Sequence, residues 1–295
     1  MFDAKKSFFK FLTVKFLELS KLVQSLKYFS FFSPVFRYWI GNWTIYTFFY
    51  PLARLTKNKE KSVLLCERWL KMPSGPGVFS WPRLTKNKLI LKEKIDWDIF
   101  IEIYLRDVYC QSIILEEMKI IDVGAHIGLY ATLAASKTGP SGKVIAIEPS
   151  TKNYKNLIEN IKINNYNNII PVKKALSDHE GLENLYLSSS SVRHSLDYNT
   201  AAKMGFISPV KVEVATLDKL LENLSLKKID IIKIDAEGEE MKILKGSEKT
   251  LKNNPTAKIL VASYHYPKET KEVRDYLGTL GFKTKVSLPD IVTTF

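Results

Sequence analysis

The sequence predicts an α/β protein with a doubly wound, largely parallel sheet and a helical, aromatic-rich extension at its beginning. Three observations lead there. Beyond Met118, short β-branched runs alternate with amphipathic helical patterns, the signature of βαβ units. The first run closes on Asp122-Val-Gly124-Ala-His126-Ile-Gly128 directly before a helical pattern, as happens at the ligand-binding edge of an open sheet. The 295 residues, 45% of them hydrophobic, are enough for one substantial core plus an appendage. The chain is accordingly divided into an extension over 1–54, a linker and small subdomain over 55–117, and a main domain over 118–295.

The extension concentrates charge and aromatic rings. Residues 1–57 carry nine Lys or Arg against Asp3 and Glu18, a surplus of seven out of the chain's +13, and 17 of the 35 aromatic residues lie between Phe2 and Tyr50. At helical spacing Phe8, Phe11, Leu12, Phe16, Leu19, Leu22, Val23 and Leu26 share one arc. Lys6, Lys10, Thr13, Ser20, Lys21 and Gln24 share the other, and only Lys15 intrudes on the apolar side. Residues 38–53 carry no charge, but Gly41, Asn42 and Pro51 interrupt them and they fall short of the roughly 20 residues a membrane span needs. The extension is therefore expected either to lie on an anionic membrane surface or to pack as a helical subdomain. No small-residue cleavage site follows it, so it is expected to stay on the mature protein. Cys66 and Cys110 supply neither metal-ligand spacing nor a disulfide framework. The expected location is the cytoplasm, peripheral to the inner face of the membrane.

Next, the run PSGPGVFSWP over 73–82 reads as a turn-rich linker. A strand is expected over 88–95. A helix follows over 96–109, with Asp96 or Asp98 near its cap and Trp97, Ile101, Tyr104, Leu105 and Val108 at helical spacing. In the main domain the β-branched runs predict strands at 119–123, 144–148, 169–174, 229–235, 259–264 and 282–286. Helices fit between them at 129–136, 152–164, 239–253 and 268–280. An insertion over 182–214 is expected to add two short strands.

Gly124 and Gly128 let the backbone approach a ligand where the following helix presents unpaired N–H groups. A methionine carboxylate suits that position, and Asp122 can hold the ammonium group. Glu148 ends the second strand, 20 residues after Gly128, where it can accept both hydroxyl protons of a ribose. The Gly-x-x-x-Gly spacing, with Ala125 and His126 inside, differs from the Gly-x-Gly-x-x-Gly of dinucleotide-binding domains. The expected cofactor is therefore S-adenosylmethionine, held by Asp122, Gly124, His126, Gly128 and Glu148. Asp178 falls where the adenine ring would lie and can accept from its exocyclic amine; it can equally be a turn former before His179 and Gly181. The fourth strand runs into Asp235-Ala-Glu237-Gly238-Glu239-Glu240. Glu239 and Glu240 are expected to complement the next helix dipole, Glu237 fits either role, and Asp235 is the catalytic candidate. His265 ends the fifth strand at the same edge and joins Asp235 and Glu237 as a candidate catalytic residue.

In this order DVGAHIGLY, AIEPSTKNYKNLIENIKIN, ALSDHEG, VATLDKLL and KIDAEGEEMKILKG resemble the FkbM family of S-adenosylmethionine-dependent methyltransferases, over about residues 96–286. The resemblance implies a seven-stranded, Rossmann-like class I methyltransferase sheet and O-methylation of a hydroxyl on a sugar, glycolipid or similar acceptor. Carried over by position, Asp122, Gly124, Gly128 and Glu148 bind the donor, Asp178 approaches adenine, and Asp235 and Glu237 face the reaction. Ser263 departs from the family's Glu-x-His pattern at the end of the fifth strand. His265 or Asp235 would act as general base, the imidazole titrating nearer neutrality. A divalent cation on Asp235, Glu237 and His265 is the alternative, although no spacing compels a metal. Two rival functions are weighed. A nucleic-acid methyltransferase fits the basic pI of about 9.4, but an Asn-Pro-Pro-Tyr-like loop is absent and the charge sits in the extension. A nonenzymatic membrane module would not need the intact glycines and acids.

Overall fold

The computed structural model describes residues 77–80 and 86–295, apart from 189–190, 192–193, 199–201, 203–205 and 288–289. The expected amphipathic extension over 1–54 lies outside the described residues. By internal contacts the chain separates into Met1–Pro73 and Ser74–Phe295, and everything below belongs to the second unit. Among the described residues no helix is long and apolar enough to cross a membrane.

The expected linker contains a strand. β1 (Gly77–Ser80) pairs antiparallel with β2 (Lys88–Leu91), and the Phe79 ring packs edge-on against Trp97 with centroids 4.6 Å apart. Backbone pairing and ring burial outweigh the turn-prone glycines and prolines around them. α1 (Lys94–Phe100) starts on a capping box, in which Asp96 Oδ2 accepts from the Lys92 and Glu93 amides at 2.7 and 2.9 Å. The helix then widens into a π-helical turn, Ile101–Arg106, and stops at Asp107 with φ 56°, earlier than the expected 109.

The main domain follows the expected alternation. β3 (Lys119–Val123) leads to α2 (Leu129–Thr138), β4 (Lys143–Ile147), α3 (Thr151–Ile163) and β5 (Ile169–Val172). The insertion is larger than expected: β6 (Ala175–Leu176), β7 (Gly181–Ser188) and β8 (Phe206–Ala215) form a separate three-stranded sheet. Then come α4 (Leu217–Asn223), β9 (Ile231–Ile234), α5 (Glu240–Lys245), α6 (Glu248–Asn253), β10 (Lys258–Ala262), α7 (Glu269–Thr279), β11 (Thr284–Ser287) and β12 (Ile291–Thr294). The expected helix over 239–253 is two helices because Gly246 abuts the Ser177 carbonyl. A Cβ there would lie 2.1 Å from that oxygen, so the chain kinks and restarts where Asp218 accepts from the Lys249 and Thr250 amides.

The seven-stranded sheet has the order β11-β12-β10-β9-β3-β4-β5. β5, β4, β3, β9 and β10 are parallel, and β12 enters antiparallel between β10 and β11. Helices on both faces bury these strands, which is why Ile120, Ile121, Ile145, Ile147, Ile232, Ile234 and Val261 read as continuous apolar runs. β12 was not assigned from sequence. Its Thr294 hydroxyl accepts from the Ile259 amide at 2.9 Å and donates to the Ala257 carbonyl at 3.1 Å, so a polar-looking terminus is buried.

A ladder of asparagines fastens the first ribbon to the sheet. On α3, Asn160 Oδ1 accepts from the Ile90 amide at 2.6 Å and the neighbouring Asn164 accepts from Lys88 at 2.7 Å. The Asn160 amide also donates to the Ile127 carbonyl at 2.9 Å, tying the ribbon to the glycine loop. Their spacing along the helix puts both residues on one face.

Candidate active site

A cavity of about 300 Å³ opens at the carboxyl ends of β3, β4 and β9, the edge where open α/β sheets bind ligands. Gly124, His126 and Glu148 form one wall, and Asp235, Ala236 and Glu237 form the other. Glu102, Ile103 and Tyr109 close the front, and Ser191 and His194 reach in from the insertion.

The glycine wall is built by close approach. Gly124 has φ 71°, and a Cβ there would lie 1.8 Å from the Asp235 carbonyl oxygen; at Gly128, with φ 85°, one would lie 2.4 Å from Leu157 Cδ1. The two walls therefore touch through backbone atoms that no side chain can separate. His126 takes φ 51°, and its amide donates to Glu148 Oε2 at 2.9 Å. Glu148 Oε1 accepts from the Ser150 amide at 3.0 Å and from Asn153 Nδ2 at 3.3 Å. Burial pushes the Glu148 carboxyl up to about 7 even against these bonds. Burial also lowers His126 to about 3, so its imidazole is neutral, with Nε2 3.1 Å from Ser191 Oγ.

The acidic wall is built by charge. Asp235 Oδ2 accepts from the Tyr109 hydroxyl at 2.6 Å. Glu237 stands at φ 54° in a loop clamped by Glu240, whose buried carboxylate accepts from the Ala236 and Gly238 amides at 2.7 and 2.9 Å. Glu240 thus does more than complement a helix dipole: it shapes the loop that presents Asp235 and Glu237. Glu239 accepts from the Ser177 hydroxyl at 3.2 Å and pairs with Lys242 at 3.0 Å. His265 does not line the cavity but stands behind this wall, with its side chain only 2% exposed. Its Nε2 lies 3.7 Å from Asp235 Oδ1 and 3.8 Å from Glu237 Oε2; its Nδ1 lies 3.2 Å from Glu240 Oε1 and 3.6 Å from Glu269 Oε2. Against its burial, the carboxylates push the imidazole up to about 11. The reason for expecting a base that titrates near neutrality is thereby removed.

Two expected donor ligands are not at the cavity. Asp122 is fully buried beneath the loop and pairs with Lys233 Nζ at 3.1 Å. It is the register neighbour of Lys233 across β3 and β9 and is not among the residues that line the cavity. Asp178 is exposed, paired with His179 at 2.9 Å, and lies beyond the Lys174-Ala175-Leu176 segment that does line the cavity. Of the two roles expected for it, the pairing with His179 agrees with the turn. Sequence reasoning missed Lys233, which also donates to the Gly124 carbonyl at 2.9 Å and lies 5.3 Å from the Tyr109 ring centroid. The signal was present: a lysine inside the apolar strand IIKI needs a buried partner. Tyr109 and Ser191 had no comparable signal, since the fold brings them from distant segments.

A doubly wound sheet with one antiparallel strand next to its edge, and a glycine loop after its first parallel strand, defines the class I methyltransferase architecture. Residues 122–284 match the methyltransferase FkbM domain, and the chain belongs to the FkbM methyltransferase family. It is 24% identical over 172 residues to the hexuronic acid methyltransferase AglP of Haloferax volcanii, covering 58% of this chain and 66% of AglP. It is 26% identical over 175 residues to the methyltransferase sdnD of Sordaria araneosa, covering 50% and 67%. About a third of each relative is thus unmatched. Among solved structures, the methyltransferase FkbM of Methylobacillus flagellatus KT is similar at a TM-score of 0.46 and 16% identity, over 61% of this chain and 44% of that one.

Proposed function

We propose that the chain binds S-adenosylmethionine in this cavity and transfers its methyl group to a hydroxyl of a sugar, glycolipid or similar acceptor. The observation that carries the reading is that Glu148 and Asp235 border one cavity from opposite sides of Gly124. Glu148 would hold the donor's ribose and the Gly124 loop its methionine end, and the donor would supply an activated methyl group on the side of the cavity that Asp235 borders. The acceptor oxygen then attacks the methyl carbon in line, the carbon–sulfur electron pair stays on sulfur, and the hydroxyl proton passes to Asp235 Oδ2. Alignment and exclusion of water supply most of the acceleration in such a displacement.

A sugar acid is favoured as acceptor by two observations. AglP is named for a hexuronic acid. An adjoining depression of about 860 Å³ shares Pro149, Ser191 and His194 with the cavity and carries Lys92, Lys152, Lys155, Lys173 and Lys211 against Glu159 and Glu213. A carboxylated glycan suits that surplus of positive charge better than a neutral one. The test is incubation with S-adenosylmethionine and uronic-acid oligosaccharides, followed by mass spectrometry for the gain of one CH₂ per methyl. Donor turnover on neutral sugars alone would replace the acid by a neutral acceptor, and donor binding with no turnover on either class would favour a binding module.

A further inference from the structure

The acidic wall gathers four carboxyl groups around one imidazole. Asp235, Glu237, Glu240 and Glu269 all stand within 4 Å of His265. Glu240 is occupied by two backbone amides, and Glu269 accepts from the His265 amide at 2.7 Å. These two therefore act as fixed acceptors facing Nδ1. Both ring nitrogens are buried and neither makes a hydrogen bond among the described residues; on the side away from Glu240 and Glu269, Nε2 faces Asp235 Oδ1 and Glu237 Oε2.

The distances are too long for hydrogen bonds and fit something between the three atoms. Asp235, Glu237 and His265 each offer one ligand atom, all within 4.8 Å of one another, with His265 Nε2 at 3.7 and 3.8 Å from the two oxygens. Two atoms bound to an ion at about 2.1 Å each lie roughly 3.4 Å apart at a tetrahedral angle and roughly 3.0 Å apart at an octahedral one, so the three ligands close by a few tenths of an ångström around a tetrahedral ion and by more around an octahedral one. A carboxylate facing the far nitrogen of a ligating histidine is also the usual outer arrangement of such sites, because it fixes the tautomer that presents Nε2 to the metal. Here Glu240 and Glu269 stand on that side of the ring, 3.2 and 3.6 Å from Nδ1.

We propose that Asp235 Oδ1, Glu237 Oε2 and His265 Nε2 hold a divalent cation of the Mn²⁺, Mg²⁺ or Zn²⁺ type. The inference rests on the methyl-transfer reading for its role but not for its existence. Asp235 and Glu237 line the cavity, so the open coordination positions face the acceptor. A hydroxyl bound there becomes more acidic, loses its proton to Asp235 Oδ2 and attacks the methyl carbon as the carbon–sulfur pair leaves on sulfur. The Tyr109 hydroxyl keeps Asp235 turned so that one oxygen serves the ion and the other the proton.

The probe is Mn²⁺ added to the full chain after exhaustive chelation, followed by loss of the free-ion resonance in electron paramagnetic spectra. One ion per chain is expected. Asp235→Asn and Glu237→Gln should each weaken binding by about tenfold or more with unchanged melting, whereas Glu248→Gln, at an exposed position outside the cavity lining, should bind as the parent does. Binding no tighter in the parent than in Glu237→Gln overturns the site, as does loss that appears only together with loss of fold. Calorimetry of S-adenosylhomocysteine on the chelated protein separates the two readings. Donor-product binding without an ion site sinks only the metal, and an ion site without donor-product binding sinks only the methyl-transfer reading.

Discussion

The two walls of the cavity are held by different physics. The glycine wall depends on backbone proximity: Gly124 lies so close to the Asp235 carbonyl that only hydrogen fits, and Glu148 is fixed by three N–H donors. The acidic wall depends on opposed charges, with four carboxylates around His265 and one tyrosine hydroxyl on Asp235. A steric wall fails abruptly when an atom is added, whereas a charged wall fails when a proton or a partner is removed. That difference orders the expected effects of substitution.

The largest effect is expected at Gly124. Alanine there combines a left-handed backbone with a Cβ 1.8 Å from an oxygen. Strain of about 1 kcal/mol comes from the dihedral alone, and the collision forces β3 and β9 apart. Gly124→Ala should therefore abolish donor binding and lower the melting temperature sharply, as read by scanning calorimetry. Normal melting with normal binding would show that the walls do not depend on this contact.

Next comes Lys233, the buried cation under both walls. Lys233→Met leaves Asp122 buried without its partner, a loss of about 3–5 kcal/mol, or a fall of roughly 10 °C in melting temperature. Adding Asp122→Asn should recover much of that stability, because the uncompensated charge is gone. A double variant no more stable than the single one would mean that the lysine matters for its bonds to the Val123 and Gly124 carbonyls instead.

The acidic wall should fail in rate rather than in fold. Asp235→Asn keeps the shape and removes the proton acceptor, so kcat should drop by about 10²–10⁴ while donor affinity moves little. Glu148→Ala should do the opposite, weakening the donor by about 2–3 kcal/mol through lost charge-assisted hydrogen bonds. Equal effects of both substitutions on binding and rate would erase the division between the walls.

How much of this could be read in the chain follows the same division. Backbone-driven features were legible because they leave residue-type signatures: Gly124, Gly128 and Glu148 were placed by spacing, and the five parallel strands by continuous apolar runs. Features made by long-range meeting were not. Asp122 and Asp178 sat at the right distance along the chain, but which way an acid faces depends on strand pleat and on neighbours such as Lys233 and His179. Tyr109 reaches Asp235 across 126 positions, and the two carboxylates behind His265 come from separate helices. The split at Gly246 was hidden because a glycine within a helical pattern costs little until a carbonyl from another segment occupies its missing side chain.

The smallest effect, and the sharpest test of the glycine wall, is the pH dependence of donor binding. Burial holds the Glu148 carboxyl at about 7 in the donor-free chain, above its ordinary value of 4.5. Two ribose hydroxyls need a deprotonated acceptor, so any proton on Glu148 must leave before the sugar docks. The sign follows: affinity is full above pH 7 and declines as the pH falls through 7, where the protonated form takes over. Between pH 8 and pH 6 the dissociation constant for S-adenosylhomocysteine should rise roughly tenfold, since a group at 7 passes from about one-tenth to about nine-tenths protonated. His126, held near 3 and neutral throughout, does not contribute in that window. Calorimetry in buffers of different ionisation heat should also show a proton released on binding near pH 6 and almost none at pH 8. Glu148→Gln should bind more weakly at every pH and lose both the slope and the proton release. An unchanged slope in that variant would assign the titration to another group and leave Glu148 as a support for the His126 and Ser150 amides alone.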